Sequence, residues 1–195
     1  MGLSERNLVR RLRKGDREAC RELIRRHHQG VYGYLRRLGA KPSRAEDLTQ
    51  ETYAKAWRCI ETLRDAASLR SWLLTIARNE FFQRLRVQRP DAEGCEDLPE
   101  IEDPDPGAES EMIDSERDRR LRRAVGRLEP ALQEAVALHY FQDLSYRETG
   151  SVLGIPAGTV KSRIHRALGE LRALLEQTEA DHERQRAEEA AARPS

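Results

Sequence analysis

Aromatic side chains are scarce in this chain, at 5% of 195 residues, and so are sulfur-bearing ones, with three cysteines and two methionines. So few rings exclude a single large aromatic core. Cys20, Cys59 and Cys95 stand far apart, with no Cys-x-x-Cys pair and no Cys/His cluster. That spacing argues against a zinc site and a disulfide framework, and fits thiols in a reducing cytoplasm. No apolar run approaches membrane-spanning length, and the N-terminus has no apolar signal segment, so a cytoplasmic protein without membrane insertion is expected. Runs of β-branched residues with period two are missing as well. The chain therefore reads as all-α, without internal repeats.

Net charge is also nearly absent, at +1, but this balance hides a strong asymmetry. Residues 1–90 carry +11, residues 91–118 carry −12, residues 119–175 carry +5 and residues 176–195 carry −3. Basic blocks on either side of an acidic one are the electrostatic footprint of a nucleic-acid binder. Pro90, Gly94, Pro99, Pro104, Pro106 and Gly107 lie among the acids, the composition of a flexible linker. The reading is thus two small helical domains, 5–89 and 116–175, joined by an acidic Pro/Gly linker, 90–115, and followed by a charged tail, 176–195.

The most informative stretch is 144–171, which reads as two short helices joined by a turn at Gly154-Ile155-Pro156. Ser145 with Glu148 three residues on is a capping box, which satisfies free N–H groups at a helix start. Val160, Ile164, Leu168 and Leu171 form the expected inward stripe of the second helix. Its other face offers Thr159, Lys161, Ser162, Arg163, His165 and Arg166, with Arg147 on the preceding helix. Donors and positive charge at the start of a second helix suit major-groove reading, so this is a helix-turn-helix expected to bind duplex DNA. A merely solvated face is the plainer alternative.

A helix from 43 to 63, opened by a second expected capping box of Ser43 with Glu46, separates its side chains on a helical wheel. Ala45, Leu48, Thr52, Ala56, Ile60 and Leu63 share one face. Opposite them, Asp47, Gln50 and Glu51 form a compact acidic and amide patch on a basic domain. The patch is either an ordinary solvated face or a docking surface for a partner helix. After the Arg64–Arg70 loop, Trp72, Leu73, Ile76, Phe81 or Phe82, and Leu85 supply a buried side, and Arg78, Asn79, Arg84, Arg86 and Arg89 a basic edge. Interleaved rings and guanidinium groups suit single-stranded nucleic acid, by stacking and phosphate contact, although the rings serve equally as core.

Together, Asp47-Leu48-Thr49-Gln50-Glu51, then Trp72-Leu73-Leu74-Thr75-Ile76-Ala77-Arg78-Asn79, then Gly158-Thr159-Val160-Lys161-Ser162-Arg163 resemble the bacterial sigma-70 family, in its small extracytoplasmic-function (ECF) type. The resemblance spans roughly 16–175 in collinear order. It implies a sigma factor that binds core RNA polymerase and directs promoter recognition and transcription initiation. It gives Asp47, Gln50 and Glu51 the docking role on the β′ clamp helices, and makes the β subunit a further partner. It implies that Arg64, Ser68, Trp72, Arg78, Asn79, Arg84 and Arg86 melt and hold the promoter −10 element, where a flipped base is read in a pocket. It assigns Arg147, Thr159, Lys161, Ser162, Arg163, His165 and Arg166 to the −35 duplex. It further implies an anti-sigma partner and a chain that is monomeric when free.

The sequence departs from the family pattern at Thr149-Gly150, where an aliphatic residue and Ala are usual, and at Gln83, where Asp is common. Glycine inside a helix costs on the order of 1 kcal/mol against alanine. No nucleophile–base pair, phosphate loop or metal cluster is present in the sequence, so neither catalysis, nor a cofactor, nor a metal is expected. A stand-alone helix-turn-helix regulator and a helical adaptor are the alternative readings; neither needs the Asp47/Gln50/Glu51 patch.

Overall fold

The computed structural model describes residues 4–88 and 116–191, with eight α-helices and no strand among them. The linker expected over 90–115 lies outside the described residues. Helix α1 (Glu5–Arg13) is capped by the Ser4 hydroxyl and α2 (Arg17–Arg37) by Asp16, whose Oδ1 accepts from the backbone N–H of Glu18 and Ala19. Arg11 Nε donates to the other Asp16 oxygen at 2.7 Å and holds that carboxyl below its ordinary range. Helix α3 (Pro42–Cys59) starts earlier than expected, and the capping box of Ser43 with Glu46 does not form. Pro42 occupies the first helical position, where its fixed φ fits and its missing N–H costs nothing. Glu46 instead lies 3.6 Å from His28. Two 3₁₀ turns, Ile60–Thr62 and Ala66–Ser68, lead into α4 (Leu69–Gln88).

Helices α2, α3 and α4 pack around Leu23, Leu35, Leu48, Leu73 and Leu74, each at most 2% exposed. Burial of such a side chain contributes about 1.5–3 kcal/mol. The inward face expected for α3 is found buried, from Ala45 through Leu48, Thr52 and Ala56 to Ile60 and Leu63. In the second half come α5 (Glu116–Gly126), α6 (Pro130–Val136), a π turn at Ala137–Phe141, α7 (Tyr146–Leu153) and α8 (Ala157–Ala191). Ala124, Leu128, Leu132, Val136, Ala167 and Leu171 form a small core of their own.

The two helical units expected from the sequence are both present, and their apolar surfaces meet. Leu138, Leu144, Val152, Leu153, Val160 and Ile164 join the apolar cluster of the first half, with α4 against α7 and α2 against the π turn. The reason lies in α4, whose buried Leu69, Leu73, Leu74, Ile76, Ala77 and Phe81 span an arc of about 160°. An apolar arc that wide needs cover from more than one neighbouring helix. Leu168 is a second correction: it is 40% exposed, and Ala167 is the buried residue. At about 100° per residue, position 168 turns roughly 80° away from Val160, whereas 167 and 171 stay within about 20°. No helix among the described residues is long and apolar enough to cross a membrane.

Candidate functional site

On α3, Asp47 and Gln50 are exposed and Glu51 is half-buried. The Glu51 carboxylate is bound by the Arg84 guanidinium of α4. One turn along, Lys55 Nζ donates to Glu80 Oε1 at 2.5 Å, so two ion pairs of opposite polarity bridge the α3–α4 seam. The expected patch is therefore a surface held from beneath by the neighbouring helix.

Helix α4 is covered by α2, α3 and α7, and one strip of it reaches solvent. Trp72, Asn79, Gln83 and Arg86 fall within about 60° of one another on the wheel. Asn79, Gln83 and Arg86 are exposed and Trp72 is half-buried against the core. Ser68, whose hydroxyl donates to the Asp65 carbonyl at 2.7 Å, and exposed Arg64 precede that strip. Arg78 and Arg84 point about 120° away from Trp72, on opposite sides. Arg84 meets α3, and Arg78 meets the second half of the chain. The structure thus brings Trp72, Asn79 and Arg86 together and sends Arg78 and Arg84 elsewhere.

Arg78 ends at Glu134 of α6, with Nε donating to Oε1 at 2.7 Å, and its guanidinium also lies over the Phe82 ring. The same Oε1 accepts from the Tyr34 hydroxyl at 2.7 Å. Tyr34 is fully buried and Glu134 is 6% exposed. Burial, then the Glu134 charge, hold the Tyr34 phenol well above its ordinary range. Beside this triad, Gln142 accepts from Arg70 at 3.2 Å and donates to the Gly30 carbonyl at 3.1 Å. Arg37 lies over Phe141, 4.1 Å from the ring centroid. Burial, with Arg70 and Arg26 adding their charges, pushes the half-buried His27 imidazole down to about 4.

The helix-turn-helix forms as expected. Glu148 Oε2 accepts from the Ser145 N–H at 2.8 Å, and the Glu148 N–H donates back to the Ser145 hydroxyl at 3.3 Å. The hydrogen bonds from Ser145 hold the Glu148 carboxyl below its ordinary range. Gly154 turns the chain at φ +70, a left-handed conformation that glycine adopts without strain. Gly150 is needed for space: a Cβ there would lie 2.6 Å from the Ile155 carbonyl oxygen. Its glycine is thus a condition of the turn, which outweighs the propensity cost inferred from sequence. Thr149, in the usual aliphatic place, is fully buried with its hydroxyl unpartnered.

Thr159, Lys161, Ser162, His165 and Arg166 of α8 are exposed, as is Arg147 of α7, and Arg163 is half-buried. Arg166 is tied to Glu129 at 3.1 Å and to Glu170 at 2.9 Å. Ser162 donates to the Thr159 carbonyl at 2.9 Å.

Sequence reasoning missed Tyr34, Arg70, Glu134 and Gln142. What marks Glu134 is α6 itself, where Leu132, Gln133, Glu134, Ala135 and Val136 are buried in succession, a feature of the packing that the sequence does not display. Such a run has no outward face, so Glu134 needs polar partners inside, and Tyr34 and Arg78 supply them.

Comparison with known proteins follows the same division. The family model for Sigma-70 region 2 matches residues 23–90, and that for Sigma-70, region 4 matches 118–171. The chain is 33% identical over 175 residues to the ECF RNA polymerase sigma-E factor of Haemophilus influenzae, covering 85% of this chain and 92% of that one. It is 36% identical over 159 residues to the ECF RNA polymerase sigma factor RpoE of Cereibacter sphaeroides, covering 80% and 86%. With ECF RNA polymerase sigma factor SigE of Mycolicibacterium smegmatis it shares 37% over 158 residues, 79% of this chain but only 60% of the relative. Among solved structures, the sigma factor RpoE of Bartonella quintana, crystallised with the anti-sigma factor NepR, aligns with TM-score 0.61 at 27% identity, over 78% of this chain and 94% of that one.

Proposed function

As the chain belongs to the ECF group of the sigma-70 family, initiation factors of RNA polymerase rather than enzymes, we propose how its surfaces divide the work of starting transcription. Asp47, Gln50 and Glu51 dock on the β′ clamp helices of core polymerase, with the β subunit as a second contact. The solvent strip of α4, with Arg64 and Ser68 before it, holds the melted −10 strand: Trp72 offers a stacking face, and Asn79 and Arg86 offer donors. Arg78 joins that strand once it is released from Glu134. Arg147 and the start of α8, from Thr159 through Lys161, Ser162 and Arg163 to His165 and Arg166, read the −35 duplex in the major groove. The functional units are the segments 5–89 and 116–175. An anti-sigma factor is the proposed protein inhibitor, as NepR is a partner of the Bartonella protein.

The observation that carries this reading is the α4 strip. A helix covered by three others leaves one line of ring, amide and guanidinium groups in solvent. The test is transcription in vitro with purified core polymerase on a genomic fragment library, with and without this protein, sequencing RNA 5′ ends. New starts sharing two upstream elements are expected. Their absence, with duplex binding by the protein alone intact, would instead establish a stand-alone regulator.

A further inference from the structure

We propose that Glu134 is a built-in competitor of the nucleic-acid strand: its carboxylate occupies Arg78 in the free chain and must be displaced before Arg78 can meet a phosphate. The inference deepens the reading of Arg78 as a −10 contact and rests on it.

A carboxylate and a phosphate present an arginine with the same acceptor geometry, and the Nε–Nη2 edge of Arg78 that Glu134 occupies serves only one of them at a time. Glu134 makes this contact from the second half of the chain, so whatever frees Arg78 also unseats α6 from the first half. The seam is suited to such an exchange. Beside the apolar residues shared between the halves, its polar contacts include the Tyr34–Glu134–Arg78 triad, the Gln142 bridge between Arg70 and Gly30, and Arg37 over Phe141. A buried ion pair gains little net stability because both charges lose hydration, yet a single buried charge left behind is costly. Partial opening is therefore disfavoured, while full separation returns both ions to water. Strand binding then replaces the Glu134 carboxylate by phosphate at Arg78, and the second half is free to move to the duplex.

The experiment uses the full chain without polymerase and a fluorescent single-stranded DNA of random sequence as probe. Wild type, Glu134→Gln, Arg78→Ala and the double variant are compared at one low salt concentration. Gln keeps the side-chain shape and removes the charge. Loss of a charge-assisted competitor predicts affinity raised about tenfold in Glu134→Gln. Arg78→Ala is expected to bind more weakly than wild type, and the gain from Glu134→Gln is expected to vanish in its background. Unchanged affinity in Glu134→Gln, with Arg78→Ala weakened, overturns the competitor role while leaving Arg78 as a strand contact. Unchanged affinity in Arg78→Ala removes the strand contact itself, and the inference with it. Should Glu134→Gln fail to fold, Tyr34→Phe deletes only the hydroxyl that holds Glu134. It is expected to raise affinity by a smaller factor, and wild-type affinity there overturns the proposal.

Discussion

Arg84 on α4 grips the carboxylate of Glu51 on α3, so a residue of the sequence-derived −10 set is bound to a residue of the proposed polymerase-docking patch. The pair is partly exposed, with Lys55 and Glu80 one turn away. Pairs of this kind contribute at most about 1 kcal/mol, so the consequence is positional more than energetic.

Arg84→Ala should therefore lower stability by less than about 1 kcal/mol, yet weaken binding to core polymerase by freeing Glu51. Asp47→Arg with Glu51→Arg should abolish co-purification with core. Pull-down with tagged core, beside urea denaturation of each variant, measures both effects. Undiminished binding of the double variant would move the docking surface off α3.

Gly150→Ala places a methyl group 2.6 Å from the Ile155 carbonyl, a backbone atom that cannot step aside without distorting the turn. Overpacking of this kind typically costs 1–3 kcal/mol. Helix propensity alone predicts the opposite sign, a gain of about 1 kcal/mol. The urea midpoint decides between them, and −35 duplex binding should fall with it.

On α8, Lys161→Ala or Arg163→Ala should weaken binding to a −35 duplex. Loss of a phosphate contact flattens the salt dependence by roughly one unit of slope, whereas loss of a base contact costs about 1–3 kcal/mol at one base pair. Arg166 differs, because it is already bonded to Glu129 and Glu170. Its removal should disturb the α6–α8 arrangement as well as DNA affinity. Binding titrations across a salt series, with thermal melts, separate these cases.

His27 sets a pH window. Its folded-state value is pushed down to about 4 from the ordinary 6.5, so the unfolded chain takes up a proton first as pH falls. Stability is fully present above pH 6.5 and declines between 6.5 and 4. Asp16, Glu22 and Glu148 have lowered values and contribute their losses below the ordinary carboxylate range. Urea midpoints at pH 7.5 and 5.5 should therefore differ in wild type and differ less in His27→Gln. Equal shifts in both proteins would exclude the imidazole as the cause.

What could be read in the sequence was local. The inward face of α3, the Ser145–Glu148 box and the glycine turn depend on neighbours three to nine residues apart, and each formed. Ser43 failed as a cap because Pro42 claimed the first helical position. Leu168 was misplaced because a stripe drawn through every fourth residue drifts off a 3.6-residue period. The seam was illegible for a different reason. Tyr34 and Glu134 stand 100 residues apart, and no periodicity links a tyrosine on one helix to a glutamate on another. The α4 strip was half legible: its residue types were named, but the directions of Arg78 and Arg84 depended on which helices flank α4.

Helix α8 begins at the turn after Gly154 and runs unbroken from Ala157 to Ala191, a rod of roughly 50 Å at 1.5 Å per residue. Thr159 to Arg166, the part of α8 proposed to read DNA, lie in its first three turns. The proposed reading head and the rest of α8 are thus one stiff lever. Any molecule that grips the far end also sets the angle at which the near end enters a groove, with no contact to the bases.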